Sequence, residues 1–231
     1  MKANPRMDAI EALIADPPHL HAWPDGKPAN WAVAPAVLQF LFQQLKPKMR
    51  TLETGAGHTT IAFAAAKTEH VCITPDRRQA DRIRRYCADN GFECTATFIH
   101  ESSDIALASG KGIPEALEFV LIDGAHRFPF PILDWHFTAP RLQVGGIVVV
   151  DDYPMPSVRI LHDFLMGEDE WELIKKFHVT SFFRRTRATT NDWDWADQKI
   201  NKPHLEMQAR RLATNRQPHR AARLLRKLVG A

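Results

Sequence analysis

The feature that most constrains this chain is a short stretch with two glycines, Leu52-Glu53-Thr54-Gly55-Ala56-Gly57-His58-Thr59-Thr60. An acidic residue closes what reads as a β-strand, and two threonines open a helical run over 61–67. Glycines at a strand-to-helix turn let backbone N–H groups approach a ligand closely, and the helix N-terminus adds a positive dipole. The stretch therefore predicts a ligand-binding loop in an α/β fold.

The loop departs from the dinucleotide-binding fingerprint, in which a third glycine lies three positions after the second. Thr60 stands at that position. Glu53 would repel a pyrophosphate but could attract an ammonium group. An NAD-dependent oxidoreductase is therefore a weaker interpretation than a protein whose ligand carries an ammonium group.

Strand and helix patterns alternate after this loop. A run such as 119–122 (Phe-Val-Leu-Ile) is typical of a strand buried on both faces. The alternation predicts a Rossmann-like, doubly wound, mostly parallel α/β sheet with helices on both faces, ending in an antiparallel strand pair. The predicted strands are 50–54, 71–74, 94–99, 119–122 and 147–150, with the final pair at 171–177 and 179–185. The predicted helices are 7–16, 36–45, 77–90, 105–109, 130–142 and 158–165, and a Gly145-Gly146 turn is expected before strand 147–150.

Three regions follow from the pattern. Residues 1–34 form an N-terminal helix and a candidate lid over 17–34, within which the loop 21–31 is too irregular for the core. Residues 35–187 form the main domain, and residues 188–231 form a basic helical extension. Within the extension, Ala221, Leu224, Leu225 and Leu228 have helical spacing and predict an amphipathic helix.

Composition limits the class of protein. The 231 residues are 45% hydrophobic and 25% charged, as in ordinary soluble domains. The three cysteines lack C-x-x-C spacing, which indicates free thiols in a reducing compartment. Acids at positions 8, 11 and 16 argue against a signal peptide, and no run approaches the ~20 apolar residues of a membrane helix. We therefore expect a cytoplasmic protein without a membrane partner.

The net charge of +3 conceals an asymmetry. Residues 201–231 contain eight Lys or Arg and the single acid Glu206, a local charge of +7, so the rest of the chain carries −4. A basic tail can contact nucleic-acid phosphates. This tail has no aromatic residue to stack on bases, which argues against nucleic acid as a partner and leaves a homodimer plausible.

Acidic residues follow three of the predicted strands. They are Glu53, Asp123 and the adjacent pair Asp151-Asp152. Because parallel strands end at one edge of the sheet, these side chains are expected to meet there. Oxygen ligands of this kind suit a hard divalent cation. The alternative is that Asp152 caps a helix and Asp123 fixes a turn.

The E-x-G-x-G sequence of residues 53–57 resembles the first motif of the class I S-adenosylmethionine (SAM)-dependent methyltransferases. Over about residues 35–185, the glycine motif and the acidic residues after the strands together resemble the small metal-dependent O-methyltransferases of the catechol and caffeoyl type and their bacterial relatives. The resemblance implies SAM as cofactor, a small hydroxylated acceptor, and Mg²⁺ or another divalent cation held by Asp123, Asp151 and Asp152.

The resemblance also implies residue roles. His126 replaces the family's usual Lys three residues after Asp123 and is the candidate general base, with Asp123 the second catalytic residue. Glu53 would anchor the amino-acid end of SAM, directly or through water. Asp76 is the candidate ribose ligand, although the family's usual place falls at Thr74. The cofactor-binding set is Glu53, Gly55, Gly57, His58, Thr59, Thr60, Asp76, Ser102 and Asp123, with Ser103 an alternative adenine contact.

Other functions stay open at this point. A methyltransferase acting on nucleic acid or protein through the basic tail is one, and a non-catalytic SAM-binding protein is another. The acceptor pocket is not specified by the sequence. Its candidate lining is a set of aromatic residues: Trp23, Trp31, Phe128, Phe130 and Trp135.

Overall fold

The computed structural model describes residues 5–23, 25–29, 31–188, 195–214, 219–220 and 222–223. Its strands are β1 (His21–Ala22), β2 (Pro28–Ala29), β3 (Arg50–Thr54), β4 (Glu69–Ile73), β5 (Thr97–Ile99), β6 (Leu117–Ile122), β7 (Leu142–Val150), β8 (Trp171–Lys176) and β9 (Ser181–Arg185). Its helices are α1 (Pro5–Ala15), α2 (Pro35–Gln44), α3 (His58–Ala65), α4 (Arg77–Asp89), α5 (Ser103–Ser109), α6 (Phe130–Thr138), α7 (Pro156–Gly167) and α8 (Lys202–Thr214). Short 3₁₀ turns lie at Ala139–Arg141 and Lys199–Asn201.

Seven strands form one sheet in the order β5-β4-β3-β6-β7-β9-β8. The first five are mutually parallel, whereas β9 runs antiparallel to both β7 and β8. Strands β1 and β2 form a separate antiparallel pair. The predicted doubly wound, mostly parallel sheet with a terminal antiparallel pair is therefore confirmed.

Both faces of the sheet are covered by helices. On β6, Phe119 and Leu121 pack in a core cluster that includes residues of α1, α2, α3 and α4. Their neighbours Val120 and Ile122 pack in a second cluster with residues of α5 and α7. Because successive strand side chains point to opposite faces, a strand buried on both sides must be apolar throughout. This requirement explains the unbroken apolar run of β6.

The glycine pair Gly145-Gly146 lies inside β7, so the predicted turn at this point is wrong. The ladder pairs Leu117 with Leu142 and then Phe119 with Ile147, so residues 143–146 lie opposite the single residue 118. Gly145 takes a φ of 87°, and a Cβ on Gly146 would lie 2.8 Å from the carbonyl oxygen of Gln143. The glycines therefore form a bulge within a longer strand.

Several boundaries also differ from the predicted ones. Helix α3 begins at His58 instead of 61, β5 begins at Thr97 instead of 94, and α6 ends at Thr138 instead of 142. Ala29 is buried, so the prediction that the loop 21–31 stays out of the core is wrong at this position, and Leu20 just before the loop is buried as well. The amphipathic helix expected around Ala221, Leu224, Leu225 and Leu228 lies outside the described residues, and α8 precedes it. Among the helices that the structure describes, none has the length and apolarity to cross a membrane.

Asp134 is a buried acid on α6 that makes the stability of the fold depend on pH. Its side chain is 1% exposed, and burial raises its pKa from 3.8 to about 6, although Ser103 and Thr54 beside it oppose the rise. A carboxyl whose pKa is higher in the folded than in the unfolded chain favours folding below 3.8, and that contribution is lost as pH rises through about 6. Ionised Asp134 therefore destabilises the fold at neutral pH.

We predict that Asp134→Asn stabilises the protein relative to wild type, and that the gain grows by about 1 kcal/mol between pH 5 and pH 8. Urea unfolding at the two pH values measures the effect. The control is Asp163→Asn, which removes an exposed acid of α7. A gain for Asp134→Asn that stays constant or shrinks towards pH 8 would contradict the burial argument.

Candidate functional site

A cavity of about 760 Å³ lies at the carboxyl ends of the parallel strands. Backbone hydrogen bonds continue the sheet at this edge: Gly55 N donates to Ile73 O, Asp123 N to Thr54 O, and Asp151 N to Ile122 O. These bonds bring three predicted site segments to one rim. Most of the predicted site residues line the cavity, namely Gly55, Gly57, His58, Thr59, Asp76, Ser102, Asp123, His126, Asp151 and Asp152.

The glycine loop packs directly against the end of β6. Gly55 has a φ of 88°, and a Cβ at this position would lie 2.2 Å from the carbonyl oxygen of Asp123. Only glycine fits both the backbone conformation and the space. Helix α3 begins at His58, and Gly57 N donates to the Thr60 hydroxyl at 3.0 Å. The loop thus presents a helix N-terminus to the cavity.

Neither Glu53 nor Thr60 lines the cavity, and Glu53 lies behind the loop. The Glu53 carboxylate accepts hydrogen bonds from the hydroxyls of Thr59 and Thr60, and its Oε1 lies 3.2 Å from His70 Nε2. Glu53 is 1% exposed. Glu53 therefore does not reach the cavity itself, and its hydrogen bond with Thr59 connects it to the cavity wall. Its predicted role in anchoring a cofactor, directly or through water, stays a prediction.

Asp76 caps helix α4. Its Oδ1 accepts from the backbone N–H groups of Arg78 and Gln79, and its Oδ2 lies 3.5 Å from Arg82 Nη2. The side chain is still 52% exposed and lines the cavity. Its predicted ribose contact stays a prediction. Ser102 lies at the start of α5, where its hydroxyl donates to Asp104.

The acidic rim is organised around His126. His126 Nε2 lies 3.5 Å from Asp123 Oδ1, and His126 Nδ1 lies 3.5 Å from Asp152 Oδ2. Asp152 has a φ of 52°, a conformation that Asp tolerates better than most residues and that is often found at functional sites. Asp151 accepts a hydrogen bond from the Thr180 hydroxyl. The imidazole is therefore held between two carboxylates.

Burial and mutual charge shift the titration of these groups. Loss of hydration raises the pKa of Asp123 well above its ordinary value, although His126 opposes the rise. The Asp123 carboxylate raises the pKa of His126 against the lowering effect of burial. Burial also raises the pKa of Asp151. The site thus favours holding a proton between Asp123 and His126.

The three predicted metal ligands lie at one rim, but their ligand oxygens do not all lie within 4.8 Å of one another. In the described part of the chain, Glu53, His70 and Cys72 are the group of His, Cys, Asp or Glu whose ligand atoms all lie within 4.8 Å of one another. Burial raises the pKa of the Cys72 thiol, which donates to Gly55 O at 3.2 Å. Phe63 stacks on the His70 ring at 4.1 Å. This cluster is a hydrogen-bonded part of the core, and Asp123, Asp151 and Asp152 as arranged do not fit a shared cation.

The N-terminal segment covers part of the cavity, which sequence reasoning anticipated only as a candidate lid. His58 Nε2 donates to Pro18 O at 3.0 Å, and Arg82 Nε donates to Leu20 O at 2.9 Å. The Gln79 side-chain amide donates to Ala56 O and to His21 Nδ1. Gln79 thereby joins the N-terminal segment to the glycine loop, a role with no signal in the sequence.

The aromatic residues expected at an acceptor pocket divide into two groups. Trp31 and Phe130 line the cavity together with His21 and Met155. Trp135 instead packs in the core against Phe164 and Trp171, and Trp23 and Phe128 are exposed outside the cavity. The cavity therefore has aromatic surfaces on its N-terminal side and at α6.

Comparison with known proteins shows what the central part of the chain is similar to. Residues 52–153 match the model of a family described as a methyltransferase domain. This segment runs from the glycine-loop strand to just beyond Asp152 and so contains most of the site. No curated protein matches the sequence significantly.

Solved structures share the fold. The O-methyltransferase NovP is 18% identical with a TM-score of 0.59, covering 79% of this chain and 98% of its own. TomG, an O-methyltransferase from Streptomyces achromogenes solved with SAM, is 18% identical with a TM-score of 0.57, covering 81% of this chain and 92% of its own. An rRNA methylase from Streptococcus thermophilus is 13% identical with a TM-score of 0.53, covering 66% of this chain and 95% of its own. The matched segment is similar to a methyltransferase domain, and the chain shares its fold with these solved methyltransferases.

Proposed function

We propose that this protein transfers a methyl group from SAM to a hydroxyl oxygen of a small molecule, with His126 as the general base. The observation that carries the proposal is the shared cavity. Gly55 to Thr59 and the Asp123–His126–Asp152 group line the same space of about 760 Å³. This volume falls within the usual range of small-molecule pockets.

The cofactor would bind along the glycine loop and the end of β4. The glycine-loop backbone, which lines the cavity, and the N-terminus of α3 suit the amino-acid end of SAM. Asp76 and Ser102 line the cavity where the ribose and adenine are expected. Glu53 would orient the Thr59 hydroxyl and would not touch the ligand itself.

The chemistry needs alignment and a proton acceptor. When bound, SAM supplies a methyl group on a sulfonium, which the acceptor oxygen takes as the C–S bond breaks and the electron pair stays on sulfur. His126 removes the hydroxyl proton, and Asp123 and Asp152 stabilise the resulting imidazolium. The cavity walls hold oxygen, carbon and sulfur in line.

Trp31, Phe130 and Met155 would contact the acceptor. The divalent cation expected from the resemblance takes no part in these steps, because its three ligands do not converge. The alternatives are transfer to nucleic acid or protein, and SAM binding without turnover.

The test uses SAM labelled in its methyl group and incubates the protein with hydroxylated small molecules, total RNA and protein extract. Label in a small molecule supports the proposal, and label only in RNA or protein would overturn it.

Gly55→Ala tests the cofactor loop. We expect at least a tenfold loss of SAM affinity by calorimetry, because the added methyl would collide with Asp123 O and force the loop away from β6. The matched control is Gly91→Ala, which also has a positive φ of 76° but has no atom within 4 Å of the new Cβ. Backbone strain costs each variant about 1 kcal/mol of stability, and the collision with Asp123 O destabilises Gly55→Ala further. Equal SAM affinity in the two variants would contradict the assigned loop.

His126→Asn tests the base. Methyl transfer is expected to fall by roughly 10²- to 10⁴-fold while SAM affinity stays within about threefold, because the imidazole acts on the acceptor's proton and not on the cofactor. The control is His136→Asn, which changes an exposed histidine of α6. Retention of full activity in His126→Asn would remove His126 from the mechanism.

A further inference from the structure

The acidic rim holds an imidazole between two of the carboxylates that the resemblance assigns to a cation. His126 has one ring nitrogen 3.5 Å from Asp123 and the other 3.5 Å from Asp152. We propose that the neutral imidazole occupies the place of a divalent cation and becomes charged only when it takes the acceptor's proton, so that the protein methylates an isolated acidic hydroxyl, such as that of a monophenol, without metal. This inference rests on the proposed methyl transfer and specifies the acceptor of that site.

Distances decide against a shared cation. Mg²⁺ binds oxygen at 2.0–2.1 Å, so two of its ligands lie no more than about 4.2 Å apart. The ligand oxygens of Asp123, Asp151 and Asp152 do not all lie within 4.8 Å of one another. The ring of His126 lies between two of the three carboxylates.

Each member of the group is held by a different element. Asp151 is buried and accepts from Thr180, the residue before β9. The backbone oxygen of His126 accepts from Ser157 Oγ on α7. Asp152 points to His126 from a left-handed backbone conformation, and Asp123 N is bonded to the end of β3. Closing these carboxylates around one ion would break several of these contacts together.

The absence of a Lewis acid restricts the acceptor. Bound zinc can lower the pKa of water from 15.7 to about 7, a gain of roughly 10⁸- to 10⁹-fold in ionisation. An imidazole supplies no such gain, so the hydroxyl must itself ionise readily. A phenol, with a pKa near 10, meets this condition about 10⁵- to 10⁶-fold better than a hydroxyl with the acidity of water. A second oxygen for chelation is not needed.

The lining of the cavity suits an aromatic acceptor. Trp31 lies in the cavity wall with its ring centroid 5.2 Å from that of His21 and 5.2 Å from that of Trp23. Phe130 lines the cavity from α6. Flat apolar surfaces of this kind pack well against a phenolic ring. The hydroxyl proton goes to His126 and the methyl group to oxygen, so no further reactant is required.

The first experiment titrates the full-length protein, freed of metal by EDTA, with Mn²⁺ in a calorimeter, independently of any activity. We expect no saturable binding in wild type, in Asp152→Asn or in the exposed-site control Asp163→Asn. Saturable binding by wild type and Asp163→Asn that Asp152→Asn abolishes would overturn the proposal.

The second experiment measures methyl transfer to a monophenol, a catechol and a sugar, each with EDTA or with Mg²⁺. The expected result is transfer to the monophenol at rates that agree within about twofold in EDTA and Mg²⁺. Transfer that EDTA abolishes and Mg²⁺ restores, or transfer to the sugar alone, would overturn the proposal. SAM binding with no transfer to any acceptor would refute the proposed function instead, and the Mn²⁺ titration would still decide the question of the cation.

Discussion

The site depends on the close approach of the glycine loop to the end of β6. The position of a Cβ on Gly55 would be 2.2 Å from Asp123 O, and backbone bonds carry the ladder from Ile73 through Thr54 and Ile122 to Asp151. These contacts are made by the main chain, and they require that position 55 carry no side chain. The glycine loop and the acidic residues therefore belong to one edge of the sheet.

Behind this edge, buried polar groups are satisfied by one another. Glu53 accepts from Thr59 and Thr60 and faces His70, whose Nδ1 lies 2.8 Å from the Thr51 hydroxyl. A buried carboxylate without such partners would be costly. The same need for partners shapes the rim, where His126 stands between Asp123 and Asp152. In both places a histidine and hydroxyl groups compensate acids that the fold brings out of water.

The N-terminal segment is tied to the site by hydrogen bonds from side chains of the main domain. Gln79, His58 and Arg82 bond to positions between Pro18 and His21, while Leu20 anchors the segment in the core. This segment, held at several points, lies against the glycine loop and supplies Trp31 to the cavity wall. The cavity is therefore built partly from residues that precede the seven-stranded sheet.

The sequence by itself determined the order of strands and helices, the terminal antiparallel pair and the meeting of acids at one rim, because these follow from hydrophobic periodicity and parallel topology. It could not distinguish a bulge from a turn at Gly145-Gly146, since a glycine pair suits both. Only the tertiary structure decided that Glu53 turns into the core and that His126 lies between Asp123 and Asp152. Side-chain direction at a strand end depends on partners distant in the chain, and no local pattern encodes it.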